Sequence, residues 1–91
     1  MSWYVYILRT NRNTLYTGIT NNVHRRLEAH KKKKGAKYLR IFESFELVYT
    51  EMVELKGTAL RREREIKKLS KTQKEAMIAS FGQTRQVLFD V

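Results

Sequence analysis

Residues 3 to 19 decide the fold: Trp3-Tyr4-Val5-Tyr6-Ile7-Leu8-Arg9-Thr10-Asn11-Arg12-Asn13-Thr14-Leu15-Tyr16-Thr17-Gly18-Ile19. Trp3–Leu8 is an unbroken run of ring and branched side chains, which fit a pleated and well-covered surface, so it reads as a buried strand. Arg9–Thr14 is polar, and Asn11-Arg12-Asn13 suits a turn because asparagine bonds its own backbone and tolerates left-handed geometry. Leu15–Ile19 reads as a second strand, closing an antiparallel hairpin with the first. Within the hairpin Tyr4 and Tyr6 share parity and therefore a face.

Beyond the hairpin, Asn21 and Asn22 stand where a helix N-cap belongs, with Val23, Leu27 and His30 following at helical spacing. This helix is expected to fade near Lys33, because Lys31–Lys34 repel one another and Gly35 is a natural stop. Phe45–Met52 alternates in part and is β-rich, a third strand. Thr58 is placed to cap a second helix carrying Ala59, Ile66 and Leu69 on one stripe. Ser70-Lys71-Thr72-Gln73 has the form of a capping box, opening a third helix with Ala76, Met77 and Phe81 inward and Gly82 at its end. The order is ββ-α-β-α-α: an α+β domain with a small three-stranded antiparallel sheet flanked by helices. Its expected extent is residues 1–82. Residues 83–91 form a short tail, either an edge strand or frayed.

At 91 residues the chain has the length of one domain, with no proline and no repeat. It has no cysteine and two histidines, His24 and His30. Disulfides, iron–sulfur clusters, thiolate zinc sites, cysteine nucleophiles and a three-histidine metal site are thereby excluded. The longest apolar run, Trp3–Leu8, falls far short of the ~20 residues that span a bilayer. The expectation is a cytoplasmic protein with no membrane partner.

Charge is the strongest compositional signal, a net +10. Residues 9–40 hold +9 of it, residues 41–60 carry −3, and residues 61–75 return +4. A basic block this dense points to a polyanion, most often nucleic acid, although a basic face also simply keeps a protein dissolved. Candidate phosphate contacts are Arg25, the run Lys31, Lys32, Lys33 and Lys34, then Lys37 and Arg40, and Lys67 and Lys68 on the second helix. Gly35-Ala36-Lys37 is no phosphate loop, because the upstream glycine of that motif is missing.

Three residues on the helices invite chemistry. Arg26 and His30 lie four apart on one face, bordering the Val23–Leu27 stripe. A guanidinium at a core edge can grip phosphate with two parallel hydrogen bonds; the plain alternative is an exposed arginine on a basic helix. Glu63, between Ala59 and Ile66, falls on or beside the buried stripe. It is either a hard-metal ligand or a counter-charge to Arg61, Arg62 and Arg64.

Tyr4-Val5-Tyr6, nine further residues, then Tyr16-Thr17-Gly18 resembles the paired tripeptides of the GIY-YIG endonuclease superfamily. The rest of that signature follows in order, with Asn22, Arg26 and His30 on one helix and Ala59-Leu60-Arg61-Arg62-Glu63 on the next. The likeness covers about residues 2 to 80 and is greatest to the small stand-alone bacterial members of uncharacterised role. It implies the GIY-YIG fold and a magnesium- or manganese-dependent hydrolysis of DNA phosphodiesters, on structured or damaged DNA, with one metal ion. By the resemblance, Tyr6 and Tyr16 sit over the scissile phosphate and one of them orients or deprotonates the attacking water. Arg26 stabilises developing charge, His30 stands near the nucleophile or leaving group, and Glu63 holds the metal. Tyr4, Val5, Thr17, Gly18 and Asn22 complete the motif, Gly18 allowing close packing. Tyr4 replaces the family's glycine, and Ile19 stands where the excision-repair nucleases carry a lysine.

Two other readings compete. A catalytically silent nucleic-acid-binding module would keep the motif for packing and bind through charge alone. An adaptor would use the acidic 43–54 region to dock a basic protein partner.

Overall fold

The computed structural model describes residues 2–89, with side chains for residues 2–82. The hairpin forms as expected, with β1 over Trp3–Thr10 and β2 over Leu15–Thr20. At its tip Asn13 takes a left-handed φ of 62°, and Thr10 and Thr14 close the turn with a 2.7 Å hydroxyl–hydroxyl bond. β3, Phe45–Val53, pairs antiparallel with the other side of β1, giving the order β2-β1-β3.

Central position explains why Val5, Tyr6, Ile7 and Leu8 are all buried: both neighbours and both faces are covered. Successive side chains of a strand point to opposite faces, and the two faces carry different cores. Val5 and Ile7 pack with Ala59, Ile66, Met77 and Ile78, while Tyr6 and Leu8 pack with Leu27, Leu39 and Phe42. A register shift opposite Ile7 and Leu8 skips Val48. This bulge sends Val48 and Tyr49 to the first face and leaves Leu47 and Phe45 on the second.

α1, Val23–Lys31, is capped by Asn22, whose Oδ1 accepts the Arg25 N–H at 3.0 Å. It stops two residues earlier than the glycine suggests. Lys33 itself takes the left-handed turn, at φ 62°, and its ammonium donates to the Phe42 carbonyl. Gly35 has another duty, described below. A short 3-10 helix, Lys37–Ile41, follows and was not legible as an element in the sequence.

α2 spans Lys56–Lys68 and is entered at Leu55, not capped by Thr58. β3 ends at Val53, so the helix must begin at once, and its first-turn bond runs from the Ala59 N–H to the Leu55 carbonyl. Ala59 and Ile66 are buried as the stripe requires, and Leu69 ends the helix half-buried.

The Ser70–Gln73 capping box forms in both directions, at 2.9 and 3.1 Å. α3 then runs Lys71–Phe89, past Gly82. No glycine has a positive φ, so Gly82 is not a left-handed cap but an ordinary helical residue. Residues 83–89 continue α3 as helix and do not form an edge strand, and 90–91 lie outside the described residues. Met77 and Phe81 face inward, but Ala76 is exposed and Ile78 takes the place expected of it. Among the described residues no helix is long and apolar enough to cross a membrane.

Candidate active site

The β1–β2 register sets Tyr6 opposite Gly18 and Tyr16 opposite Leu8, so both phenols emerge on the α1 face. Tyr6 lies across Gly18: a Cβ there would meet Tyr6 Oη at 2.6 Å and Cζ at 2.7 Å. The missing side chain is thus what lets the two tyrosine rings approach to 6.3 Å. Tyr6 is buried and Tyr16 half-buried at the rim. Val5 and Thr17 are buried on the opposite face, and Tyr4 lines a depression with Asn21, Asn22 and Val23 at the start of α1.

α1 is a polar helix, and its one fully buried residue is His30, 1% exposed. His30 Nε2 lies 2.9 Å from Tyr6 Oη. Its other ring nitrogen, Nδ1, accepts the Ala36 N–H at 3.3 Å. Burial, then the Arg26 charge, holds the imidazole below its usual pKa, so it is neutral at physiological pH. A neutral imidazole with an accepting Nδ1 carries its proton on Nε2. The bond therefore runs from His30 Nε2–H to the Tyr6 oxygen, leaving the phenol proton of Tyr6 to be donated elsewhere.

Gly35 makes this arrangement possible. A Cβ at Gly35 would sit 1.9 Å from His30 Nδ1, so only glycine lets the chain pass over the imidazole and aim the Ala36 N–H at it. Burial, its dominant influence, pushes the Tyr6 phenol up to about 12 against the opposing pull of Arg26. Tyr6 thus stays protonated at neutral pH and suits hydrogen-bond donation, not proton abstraction.

Arg26 lies against this pair, its charge acting on both Tyr6 and His30. Its Nε is buried with no hydrogen-bond partner among the described residues. The guanidinium presents a planar fork of donors, a geometry suited to two-pronged acceptors such as carboxylates and phosphates. The adjoining depression is lined by Thr20, Asn21, Asn22, Arg25, Arg26 and Ala29.

Tyr6, Tyr16, Arg26, His30 and Gly18 thus form one cluster. Glu63 is not joined to it by any hydrogen bond or ion pair among the described residues. Its side chain, 18% exposed on α2, pairs with Lys67 at 3.6 Å. Of the three arginines offered as the alternative partners of Glu63, Arg62 instead grips Glu51 and Glu65, at 2.9 and 3.2 Å. No group of three metal-ligating side chains occurs among the described residues. The donor set is then one carboxylate, which fits a magnesium-type ion that keeps waters and takes a substrate phosphate. The long pairing with Lys67 is easily exchanged.

Among the basic candidates, Arg25, Lys32, Lys34, Lys37, Arg40 and Lys68 are exposed, and Lys31 pairs loosely with Glu28 at 3.7 Å. Lys33 is committed to the Phe42 carbonyl. Sequence reasoning missed three contributors: Gly35 and Ala36, which set the histidine tautomer, and Tyr38, whose ring lies near-parallel to Tyr16 at 6.2 Å. Glycine inside a lysine run was the available signal for the first. Tyr38 carried none, because the helical turn that presents it was not foreseen.

Paired strand tyrosines over a glycine, with an arginine and histidine on the next helix, define a GIY-YIG site. The family model for the GIY-YIG catalytic domain matches residues 2–76, and the chain belongs to the GIY-YIG family. Its relatives place it among the UPF0213 proteins. It is 49% identical to a UPF0213 protein of Natronomonas pharaonis over 84% of this chain and 89% of that one. It is 46% identical to the UPF0213 protein YhbQ of Escherichia coli, over 85% and 77%. The solution NMR structure of UPF0213 protein BH0048 from Bacillus halodurans is similar with a TM-score of 0.57 and 43% identity, over 87% and 84%.

Proposed function

We propose that the chain is a divalent-metal-dependent endonuclease that hydrolyses DNA phosphodiester bonds. The observation carrying this reading is the Arg26 guanidinium, held against Tyr6 and His30 while lining a depression on the α1 face next to the basic block. Water attacks phosphorus, the bond to one ester oxygen breaks, and a phosphomonoester and an alcohol result. Tyr16, at the rim, would orient the attacking water through its hydroxyl, while the raised Tyr6 keeps its own proton. Tyr6 donates to a phosphate oxygen while His30 holds it from behind. Arg26 stabilises charge as it develops, the kind of preorganised contact that dominates such reactions. Glu63 would hold the one ion, magnesium or manganese, which would supply charge neutralisation and water activation.

A second reading, a silent nucleic-acid-binding module, draws support from Glu63, whose one ion pair among the described residues is with Lys67 and not with the Tyr6–Arg26–His30 cluster. Supercoiled plasmid incubated with magnesium, with a chelator control and the Tyr16→Phe variant, separates the two. Nicking that needs both the ion and the Tyr16 hydroxyl supports the enzyme, and binding without nicking supports the module.

A further inference from the structure

Tyr38 is 44% exposed yet held on three sides. Its plane lies within 15° of the Tyr16 ring, Phe42 meets it edge-on at 5.1 Å, and its hydroxyl donates to Thr14 Oγ1 at 3.0 Å. A large, partly exposed ring is thus held at the surface directly beside Tyr16 of the candidate site. Lys37 and Arg40, both exposed, flank it on the same turn, and Ile41 beside them is 67% exposed. Rigid aromatic surface framed by cations is the combination that receives unpaired bases, whose π-faces stack while the backbone is held by charge. Bases inside a duplex offer no free face to a side chain.

We propose that Tyr38 is a stacking platform for an unpaired base next to the scissile phosphate, so that the substrate is DNA with single-stranded nucleotides at the cleavage point. The proposal rests on the nuclease reading for the word substrate, but its binding claim stands without it. Ring, charge and active-site tyrosine are contiguous, so one strand lying over Tyr16 would meet Tyr38 with its next base.

The test compares Tyr38→Phe with Tyr38→Leu. Both lose the bond to Thr14 and both fill the space against Phe42, but only phenylalanine keeps a ring. Binding to a single-stranded oligonucleotide carrying 2-aminopurine, and to a blunt duplex, is measured in chelator so that nothing is cut. Leucine is expected to weaken single-strand binding roughly 5- to 100-fold and abolish the quenching of 2-aminopurine, with phenylalanine close to wild type and duplex affinity unmoved. Single-strand affinity and quenching unchanged in Tyr38→Leu, or equal losses on both ligands, would overturn the proposal. Failure of the wild type to nick DNA bears only on the enzyme reading, because the assay contains no cleavage step.

Discussion

Tyr6 and Gly18 face each other across the β1–β2 ladder, and the phenol occupies the space a side chain at position 18 would need. Because Tyr6 is buried and bonded to His30, it cannot swing away to make room. Gly18→Ala is expected to destabilise the fold by about 1–3 kcal/mol, the cost of overpacking a filled core. Gly82→Ala is the control: nothing lies within 4 Å of where the alanine Cβ would stand, so helix propensity alone acts, stabilising by up to ~1 kcal/mol. Urea denaturation of both variants checks the contrast.

The tautomer of His30 makes a pH prediction. Its folded pKa lies below the ordinary 6.5, so the unfolded chain binds a proton more readily. The stability this contributes is fully present above about pH 6.5 and is lost as pH falls through the depressed folded value. A protonated ring would also turn Nδ1–H against the Ala36 N–H. Melting temperature should drop between neutral and mildly acidic pH by more in wild type than in His30→Gln, and nitrogen-15 spectra at neutral pH should show the proton on Nε2.

Arg26 and Arg25 are neighbours in sequence but about 100° apart around α1. Arg26→Ala should lower cleavage roughly 10²- to 10³-fold, as removal of a preorganised charge stabiliser does. Arg25→Ala, on an exposed side chain, should do far less. Equal losses at the two positions would mean that bulk charge, and not the cluster, carries the rate.

Duplex binding should weaken steeply with salt. If about five of the exposed cations neutralise phosphates, log K against log salt should slope near −4.5. Lys33→Ala should leave that slope alone and cost stability instead, since its ammonium serves the Phe42 carbonyl.

The hairpin, the Asn22 cap and the Ser70–Gln73 box were legible because each is local: a few side chains and the backbone within one turn settle them. Helical spacing alone joined Arg26 to His30; Tyr6 and Tyr16 were added to them only by the family resemblance. What escaped was tertiary. Thr58 was a plausible cap until the short link from β3 forced the helix to start at Lys56. Gly82 looked like a stop because glycine's freedom permits a left-handed end without requiring one. Gly35 looked like a helix stop as well, although its real constraint is a histidine side chain folded beneath it. The 3-10 turn that brings Tyr38 beside Tyr16 depends on Leu39 and Phe42 finding the Tyr6–Leu8 face, which no local pattern announces.

Metal-assisted hydrolysis needs a ligand for the ion, and Glu63 is the carboxylate proposed for it. Glu63→Gln keeps the size of the side chain and removes the charge that suits it to a magnesium-type ion. The measurement is magnesium-dependent nicking of plasmid, with DNA affinity determined on the same wild-type and variant preparations. Nicking is expected to collapse in Glu63→Gln while affinity holds or rises, because a carboxylate near phosphate repels it when no ion lies between. Retained nicking with an unchanged magnesium dependence would contradict that role, and would leave Glu63 as the surface partner of Lys67, a pair worth ~1 kcal/mol or less.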